Sequence, residues 1–291
     1  MDERDWLAER FEEQRAHLRA VAYRMLGSLS EADDAVQDAW LRASRAGSGD
    51  VTNLGGWLTT IVARVCLNML RARARRREES LEARVPDPVV SPASGLRPED
   101  ELLLADSVGL ALLIVLDTLA PAERLAFVLH DMFDLPFEAI GPLVGRSPVA
   151  ARQLASRARR RVKGAEIQAQ DADVDRQRAV VDAFFQAARG GAFDALVALL
   201  HPDVVLRADY GPARSPQVFR GAAAVLTQAR GFQGAVVHPA LVNGAAGAVI
   251  TVGRRPFAVM GFTVVEGRIL EIDAISDPER VRRIAASILP A

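Results

Sequence analysis

A single cysteine, Cys66, in 291 residues excludes an intrachain disulfide framework and a zinc site made of cysteines alone. Its neighbours Val62, Val65, Leu67 and Leu70 predict a buried structural thiol rather than a nucleophile. Histidine is scarce too: His17, His130, His201 and His238 are scattered without metal-ligand spacing, so neither a metal site nor a cofactor is expected. Lysine is nearly absent, with Lys163 alone, which leaves arginine to carry the basic chemistry. Aromatic residues make up only 5% of the chain, and with alanine abundant much of it should be helical. No apolar run approaches the ~18 residues of a membrane span. The charged start from Met1 to Arg10 has no signal-peptide core. A cytoplasmic protein without membrane contact is expected.

Net charge is also small, -1 at pH 7, but the charge is segregated, and local fields decide where phosphate binds. The segment Arg64 to Arg77 holds six arginines and no acid, and Gly145 to Lys163 holds seven basic residues and no acid. In the second segment Ser147 suits an N-cap and Pro148 the first helical position. Ala151, Leu154, Ala155, Ala158 and Val162 recur at helical spacing toward a core. Arg152, Gln153, Ser156, Arg157 and Arg160 then face outward. Just upstream, Phe137 to Val144 is short, amphipathic and closed by Gly145. Two helices about a glycine turn, the second basic, make a helix-turn-helix, the device that places side chains in the DNA major groove.

The chain reads as three blocks. The first, 5–80, is helical: Trp6, Phe11, Leu18, Val21, Ala22, Met25 and Leu26 form a stripe, Gly27 to Ser30 breaks it, and Ser30 starts a second helix with Asp33 in a near capping box. After the loop Gly47 to Asp50, a third helix starts near Asn53 or Leu54. A linker, 81–100, holds four prolines between Val85 and Pro98 and cannot be a long helix. The second block, 101–165, is helical and ends in the helix-turn-helix. After a polar bridge the third block, 176–291, is strand-rich. A helix around Val180 to Phe185 precedes strands at 204–206, 235–237, 248–252, 257–265 and 269–275. Asn243-Gly244 and Glu266-Gly267 are hairpin turns, and a helix from Pro278 to Leu289 closes an α+β domain.

These blocks resemble an extracytoplasmic-function (ECF) sigma factor of the ECF41 (SigJ-like) group. The stretch Ser30-Glu31-Ala32-Asp33-Asp34-Ala35-Val36-Gln37-Asp38-Ala39-Trp40-Leu41-Arg42 resembles sigma region 2.2. That resemblance implies docking on the β′ clamp helices of core RNA polymerase through Asp33, Asp34, Gln37, Asp38, Trp40 and Leu41. The stretch Asn53 to Arg73 is similar to regions 2.3 and 2.4, which implies recognition and opening of the −10 promoter element. Opening a duplex needs base-edge contacts and cations for the displaced strand, roles that fall on Asn53, Asn68, Arg71, Arg73, Arg75 and Arg76. Trp57 is expected in the core. Leu116 to Arg160 is similar to sigma domain 4, which implies contact with the β flap and −35 readout by Arg146, Arg152, Gln153, Ser156, Arg157 and Arg160; arginine pairs with guanine and glutamine with adenine. His130 is expected to be structural.

The third block resembles a SnoaL-like domain of the NTF2-like superfamily, a curved sheet over helices enclosing an apolar cavity. The implied fold class is multi-domain: two all-α sigma domains followed by an α+β cone. Two segments implicated in contact between the extra domain and the sigma core are re-spelled here. The linker motif reads Arg84-Val85-Pro86-Asp87-Pro88, without the group's tryptophan, and the C-terminal motif reads Ser276-Asp277-Pro278-Glu279-Arg280-Val281. Pro86, Asp87, Pro88, Asp277, Pro278 and Glu279 are therefore the expected regulatory residues. Asp209, Tyr210 and His238 are candidates to line the cavity, and Phe257, Val259, Phe262 and Val264 are expected in the core. No catalysis by the chain itself is expected. Two rivals stand beside the sigma-factor reading: a ligand-sensing helix-turn-helix repressor, and a SnoaL-like cyclase or isomerase with a DNA-binding appendage, which would lose turnover on Asp209→Ala.

Overall fold

A computed structural model describes residues 3–47, 51–76, 85–96, 104, 109–165, 170–212, 214–229, 234–286 and 288–289. Arg77, Arg84, most of the loop at 48–50 and the acidic run at 98–101 lie outside them. The chain divides into two compact units. One holds residues 1–79, 98–108 and 112–167; the other holds 80–97, 109–111 and 168–291. The proline-rich stretch thus clusters with the C-terminal strands.

The first unit begins with three helices, α1 (Glu3–Leu26), α2 (Leu29–Ala46) and α3 (Leu54–Arg76). Their facing stripes bury Phe11, Leu18, Val21, Met25, Val36, Leu58, Val62 and Cys66. Fully buried Ala22, Ala32, Ala35 and Ala39 let the backbones approach closely. Gly27, at φ 69°, ends α1. The cap of α2 is Ser28, whose hydroxyl makes no capping bond. Ser30, expected as the start, falls inside the first turn, because the chain re-enters helix immediately after Gly27.

Further helices follow: α4 (Leu110–Asp117), α5 (Pro121–Phe127) running into a wide turn at Val128–Met132, α6 (Phe137–Val144) and α7 (Pro148–Gly164). Gly145 is left-handed at φ 68°. The Ser147 hydroxyl accepts from the Ala150 amide at 3.3 Å, with Pro148 in the first turn, as the sequence predicts. Gly141 is required by close approach: a Cβ there would sit 2.8 Å from the Arg146 carbonyl oxygen, which is where the two helices of the motif meet. Arg124 joins this half to the first three helices. It is 1% exposed and donates to the Arg24 carbonyl at 3.2 and 3.1 Å and to Asp117 at 3.0 Å.

The second unit opens with β1 (Val90–Pro92) and continues with α8 (Val174–Gly190), α9 (Phe193–Leu199), β2 (Leu200–Asp209), β3 (Gln217–Arg220), α10 (Ala222–Ala229), β4 (Ala235–Val242), β5 (Ala245–Val252), β6 (Arg255–Val265), β7 (Arg268–Ile275) and α11 (Pro278–Ile284). The strands form one sheet in the order β1-β4-β5-β6-β7-β2-β3. Among the described strands only β2 and β7 pair in parallel. Asn243-Gly244 and Glu266-Gly267 turn at positive φ, as predicted, and Gly253-Arg254 makes a third such turn. Phe184, Phe185 and Phe262 meet edge to face at 5.4 to 5.7 Å beneath the sheet. Val259, Phe262 and Val264 are buried as expected. The last helix stops at Ile284, short of the expected Leu289. The expectation of an α+β domain after two helical regions holds.

Candidate nucleic-acid interface

Helix α7 turns Ala151, Ala155 and Ala158 inward, each fully buried, and this phase fixes its outer face. Arg146, Arg152, Gln153, Ser156, Arg157 and Arg160 are all exposed. The face is not uniformly free. Arg157 pairs with Glu123 at 3.0 Å, Arg159 with Asp131 at 2.5 Å, and Arg152 lies over the Phe137 ring at 5.3 Å. These contacts order long side chains and reduce the entropy a ligand must overcome. Val149, passed over in the sequence reading, is 65% exposed at the head of this face; an exposed apolar residue beside cations is the signal that marks it. The His130 ring nitrogen Nδ1 bonds the Leu135 carbonyl at 3.0 Å, a structural role as expected.

On α3 the outward face is a stripe of Arg64, Asn68, Arg71 and Arg75, all exposed and separated by four, three and four residues. Arg64, the first arginine of the basic segment, belongs to it by helical spacing and adds to the expected −10 residues. Asn53 is exposed in the preceding loop and caps α3, its Oδ1 accepting from the Gly56 amide at 2.9 Å. Trp57, expected in the core, is half-buried, because it lies on the same stripe as Asn53 and Arg64. Arg73 faces elsewhere. It pairs with Glu31, donates to the Leu26 carbonyl at 3.2 Å and lies 3.7 Å from Asp117. Arg76 is the last residue of α3.

Helix α2 presents Asp34, Gln37 and Leu41 to solvent, with Asp38 half-buried beside them. The residues sit at i, i+3, i+4 and i+7, one acidic stripe ending in an apolar tip that is 46% exposed. Asp33 is exposed and paired with Arg19 at 2.6 Å. Asp38 is paired with Arg42 at 2.8 Å. Trp40 is half-buried against Phe11, ring centres 5.1 Å apart.

Within the second unit, residues 85–92 are seated on the strands. Arg280 is the keystone: its guanidinium donates to Asp87 at 2.7 Å, to Asp209 at 2.7 Å and to the Val85 carbonyl at 2.6 Å. Arg283 adds a second donor to Asp87 at 2.8 Å. The Val85 amide donates to Asp209 at 3.1 Å. Val89 and Asn243 exchange bonds, the Val89 amide donating to Oδ1 at 2.7 Å and the Asn243 amide to the Val89 carbonyl at 2.8 Å. Beyond them β1 adds to the β4 edge, Val90 opposite Val242. Asp277 caps α11, accepting from the Arg280 amide at 2.8 Å. Gly211, at φ 76°, lies so close to the Asp277 carboxylate that no Cβ fits. Burial alone would raise the Asp87 carboxyl, but Arg280 and Arg283 outweigh it and hold it below the usual carboxylate value. Burial likewise opposes the charge on Arg280, and Asp87 and Asp209 more than offset it. Of the expected regulatory residues, Asp87 and Asp277 form this seat. Pro86 and Pro88 flank Asp87 and are buried, whereas Pro278 and Glu279 are exposed. Arg280, Arg283, Asp209 and Asn243 were missed as seat residues. A buried arginine three residues after a capping aspartate is the available clue.

The cavity beneath the sheet measures about 210 Å³ and includes Tyr210 in its wall. Two cavity expectations are corrected. Asp209 is absent from the cavity wall because β2 alternates and sends it to the opposite face, toward Val85 and Arg280. His238 is also absent from the wall, its Nε2 bonding the Thr251 hydroxyl at 2.9 Å. Phe257, expected in the core, is 49% exposed and lines the cavity. Cys66 is fully buried. Among the described residues no cluster could hold a metal ion, and no helix is long and apolar enough to cross a membrane.

A helical bundle with an acidic stripe, joined to a helix-turn-helix with a basic one, defines a sigma-type transcription factor. The family descriptions match at both places, sigma-70 region 2 over residues 11–76 and sigma-70 region 4 over residues 110–162. The chain is 34% identical over 287 residues to the ECF RNA polymerase sigma factor SigJ of Mycobacterium tuberculosis (strain ATCC 25618 / H37Rv), covering 93% of this chain and 91% of that one. It is 33% identical over 295 residues to the probable ECF RNA polymerase sigma factor SigI of the same strain, covering 99% of each. The crystal structure of M. tuberculosis SigJ superposes with a TM-score of 0.74 at 32% identity, over 97% of this chain and 100% of that one. The chain belongs to the ECF RNA polymerase sigma factors. It is a transcription initiation factor that binds RNA polymerase and promoter DNA, and not an enzyme; neither the repressor nor the cyclase reading is favoured.

Proposed function

We propose that α7 reads the −35 element, that α3 opens the −10 element, and that the C-terminal unit tunes both by holding the linker. The observation that carries this is the pair of solvent-facing stripes, Arg152, Gln153, Ser156, Arg157 and Arg160 on α7 and Arg64, Asn68, Arg71 and Arg75 on α3. In this reading Arg146 and Arg160 grip phosphate, Arg152 and Gln153 reach base edges, and Val149 packs on a thymine methyl. Asn53, Arg75 and Arg76 follow the displaced strand, and Arg73 braces α3 through Glu31. The acidic stripe Asp34, Gln37, Asp38 and Leu41, with Asp33 and Trp40 at its margin, docks the β′ clamp helices, and region 4 docks the β flap. The domains are 5–80, 101–165 and 176–291, with 81–100 as the regulated connection. Pro86 and Pro88 stiffen it around Asp87, and Pro278 and Glu279 start the helix that presents Arg280.

The test is transcription in vitro with core polymerase, comparing the full chain with a truncation after Gly164. The reading expects a promoter-specific transcript from the full chain and a changed yield from the truncated one. No specific transcript from either rejects the promoter assignment. Equal yields from two folded proteins reject regulation by the C-terminal unit.

A further inference from the structure

The connection between the two promoter-reading regions is held by the second unit at two places. Between Arg76, the end of α3, and Leu110, the start of α4, lie residues 77–109, 33 in all. A free chain of that length spans ~115 Å. Its first capture is the Val85 amide on Asp209. Its second is Leu110, a buried residue that clusters with the strands. A Cβ on Gly261 would lie 3.0 Å from Leu110 Cδ2 and 3.1 Å from Val242 Cγ1. Gly247 stands opposite Gly261 in the ladder and has no room for a Cβ against Val242. Two paired glycines thus leave the sheet bare where Leu110 rests. Val242 itself faces Val90 of the linker.

The ladder register gives the distance between the captures. Asp209 pairs with Ile275, Ile275 pairs with Val259, and Gly261 lies two residues further along β6. Two strand spacings and two residue rises put the captures within ~15 Å of each other. Only residues 77–84 remain as slack, ~30 Å at full stretch.

The promoter sets the demand. Elements at −35 and −10 lie about 25 base pairs apart, ~85 Å of duplex. A compact unit of about 150 residues is ~40 Å across, so engaging both elements parts the two halves of the helical unit. The distance then falls on the leash. A region of about 55 residues, the size of region 4, adds ~25 Å, and the stripe on α3 from Arg64 to Arg75 adds ~16 Å. With the leash and the captures these reach ~85 Å only when residues 77–84 are nearly taut.

We propose that the C-terminal unit selects promoters by the spacing of their two elements, with Leu110, Gly261 and Asp209 as positioning residues that cut a 33-residue connection to eight. The proposal rests on the promoter and linker-seat readings above. A taut leash resists a longer spacer steeply, whereas a shorter spacer only slackens it. The selection is therefore one-sided.

The test is transcription in vitro with core polymerase from one promoter whose spacer is varied in single base pairs. The full chain is compared with a chain carrying eight Gly-Ser residues inserted after Ser80, which lengthens the leash and leaves both captures in place. For the full chain, two base pairs beyond the best spacing are expected to lower yield about tenfold; for the lengthened chain the loss is about threefold, as the end-to-end statistics of the two leashes give. Shorter spacers should separate the two chains little. Leu110→Ala, which frees the second capture, is expected to widen tolerance on the same side, and Leu110→Met to keep the wild-type profile. One spacer profile shared by the full and lengthened chains overturns the proposal, as does a loss in the lengthened chain that is equal at every spacing. Should Leu110→Ala fail to fold, the insertion decides alone. A full chain without a specific transcript at any spacing rejects the promoter reading and this proposal with it, whereas a specific transcript with unchanged spacing preference overturns the leash alone.

Discussion

Arg280 concentrates more of the second unit's polar chemistry than any neighbour in the linker seat, and its removal takes the guanidinium from buried Asp209 and leaves Asp87 with Arg283. Breaking one side of such a buried pair costs roughly 3–5 kcal/mol. Arg280→Gln is therefore expected to speed exchange at the Val85 and Val89 amides by two orders of magnitude or more, measured by native-state hydrogen exchange; rates within threefold of wild type would contradict the keystone role. The seat's pH response follows from the depressed Asp87 carboxyl. Its stabilisation is complete above the ordinary carboxylate value and is lost as pH falls through the lower folded value, so protection of residues 85–92 should be level from pH 5 to 8. Asp273 has the opposite sign. Burial pushes its carboxyl up to about 6, with Arg207 opposing and Glu271 adding to the rise. Its contribution is full below the ordinary carboxylate value and is lost as pH rises through about 6. Asp273→Asn leaves Arg207 its bond to Glu271 at 2.8 Å, and should gain about 1 kcal/mol on the wild type between pH 5 and 7.5. Thermal melts at the two pH values check this; an unchanged difference refutes it.

At the scale of elements, the helix-turn-helix is decided locally, which is why it is legible in sequence. Ser147, Pro148 and Gly145 set the turn within four residues, and the alanines on α7 fix its rotation. The value of Gly141 is not legible, because its constraint is the carbonyl of Arg146 across the turn. Gly141→Val is expected to lower the thermal stability of the helical unit and remove −35 binding together, since the clash drives α6 and α7 apart. Retained binding in an electrophoretic shift would show that the turn yields. Arg152→Ala and Gln153→Ala, both at exposed positions, should each weaken −35 binding by ~1–3 kcal/mol. Arg64→Ala should slow promoter melting, read by permanganate reactivity at the −10 element, without weakening −35 binding. Strands are less legible than helices here. β1 hides in a proline-rich segment, and only its place at an edge tolerates Pro92. As an acid on a strand of a SnoaL-like domain Asp209 is a candidate for the cavity wall; phasing β2 by its buried Leu206 and Ala208 sends it the other way.

At the scale of the molecule, the three-block order was readable from texture alone: helical stripes, prolines, then alternating strands. The membership of residues 85–92 was not, because Asp87 meets its partner 193 residues later and no local pattern encodes that distance. This bears on how truncations behave. Cutting after Gly164 removes the partners of Val85, Val89 and Val90, which are at most 3% exposed, and leaves them bare. Asp87→Asn in the full chain perturbs the same seat without that exposure. The two changes should shift promoter-specific yield in the same direction, Asp87→Asn by less; opposite directions would separate the seat from regulation.

Cys66 offers an unplanned instrument. As the chain's one thiol, sealed in the helical unit and pushed away from its reactive anion by burial, it can meet a modifying reagent only when that unit opens. The labelling rate of unmodified protein is thus a clock for the opening of the helical unit, running without mutation or dye.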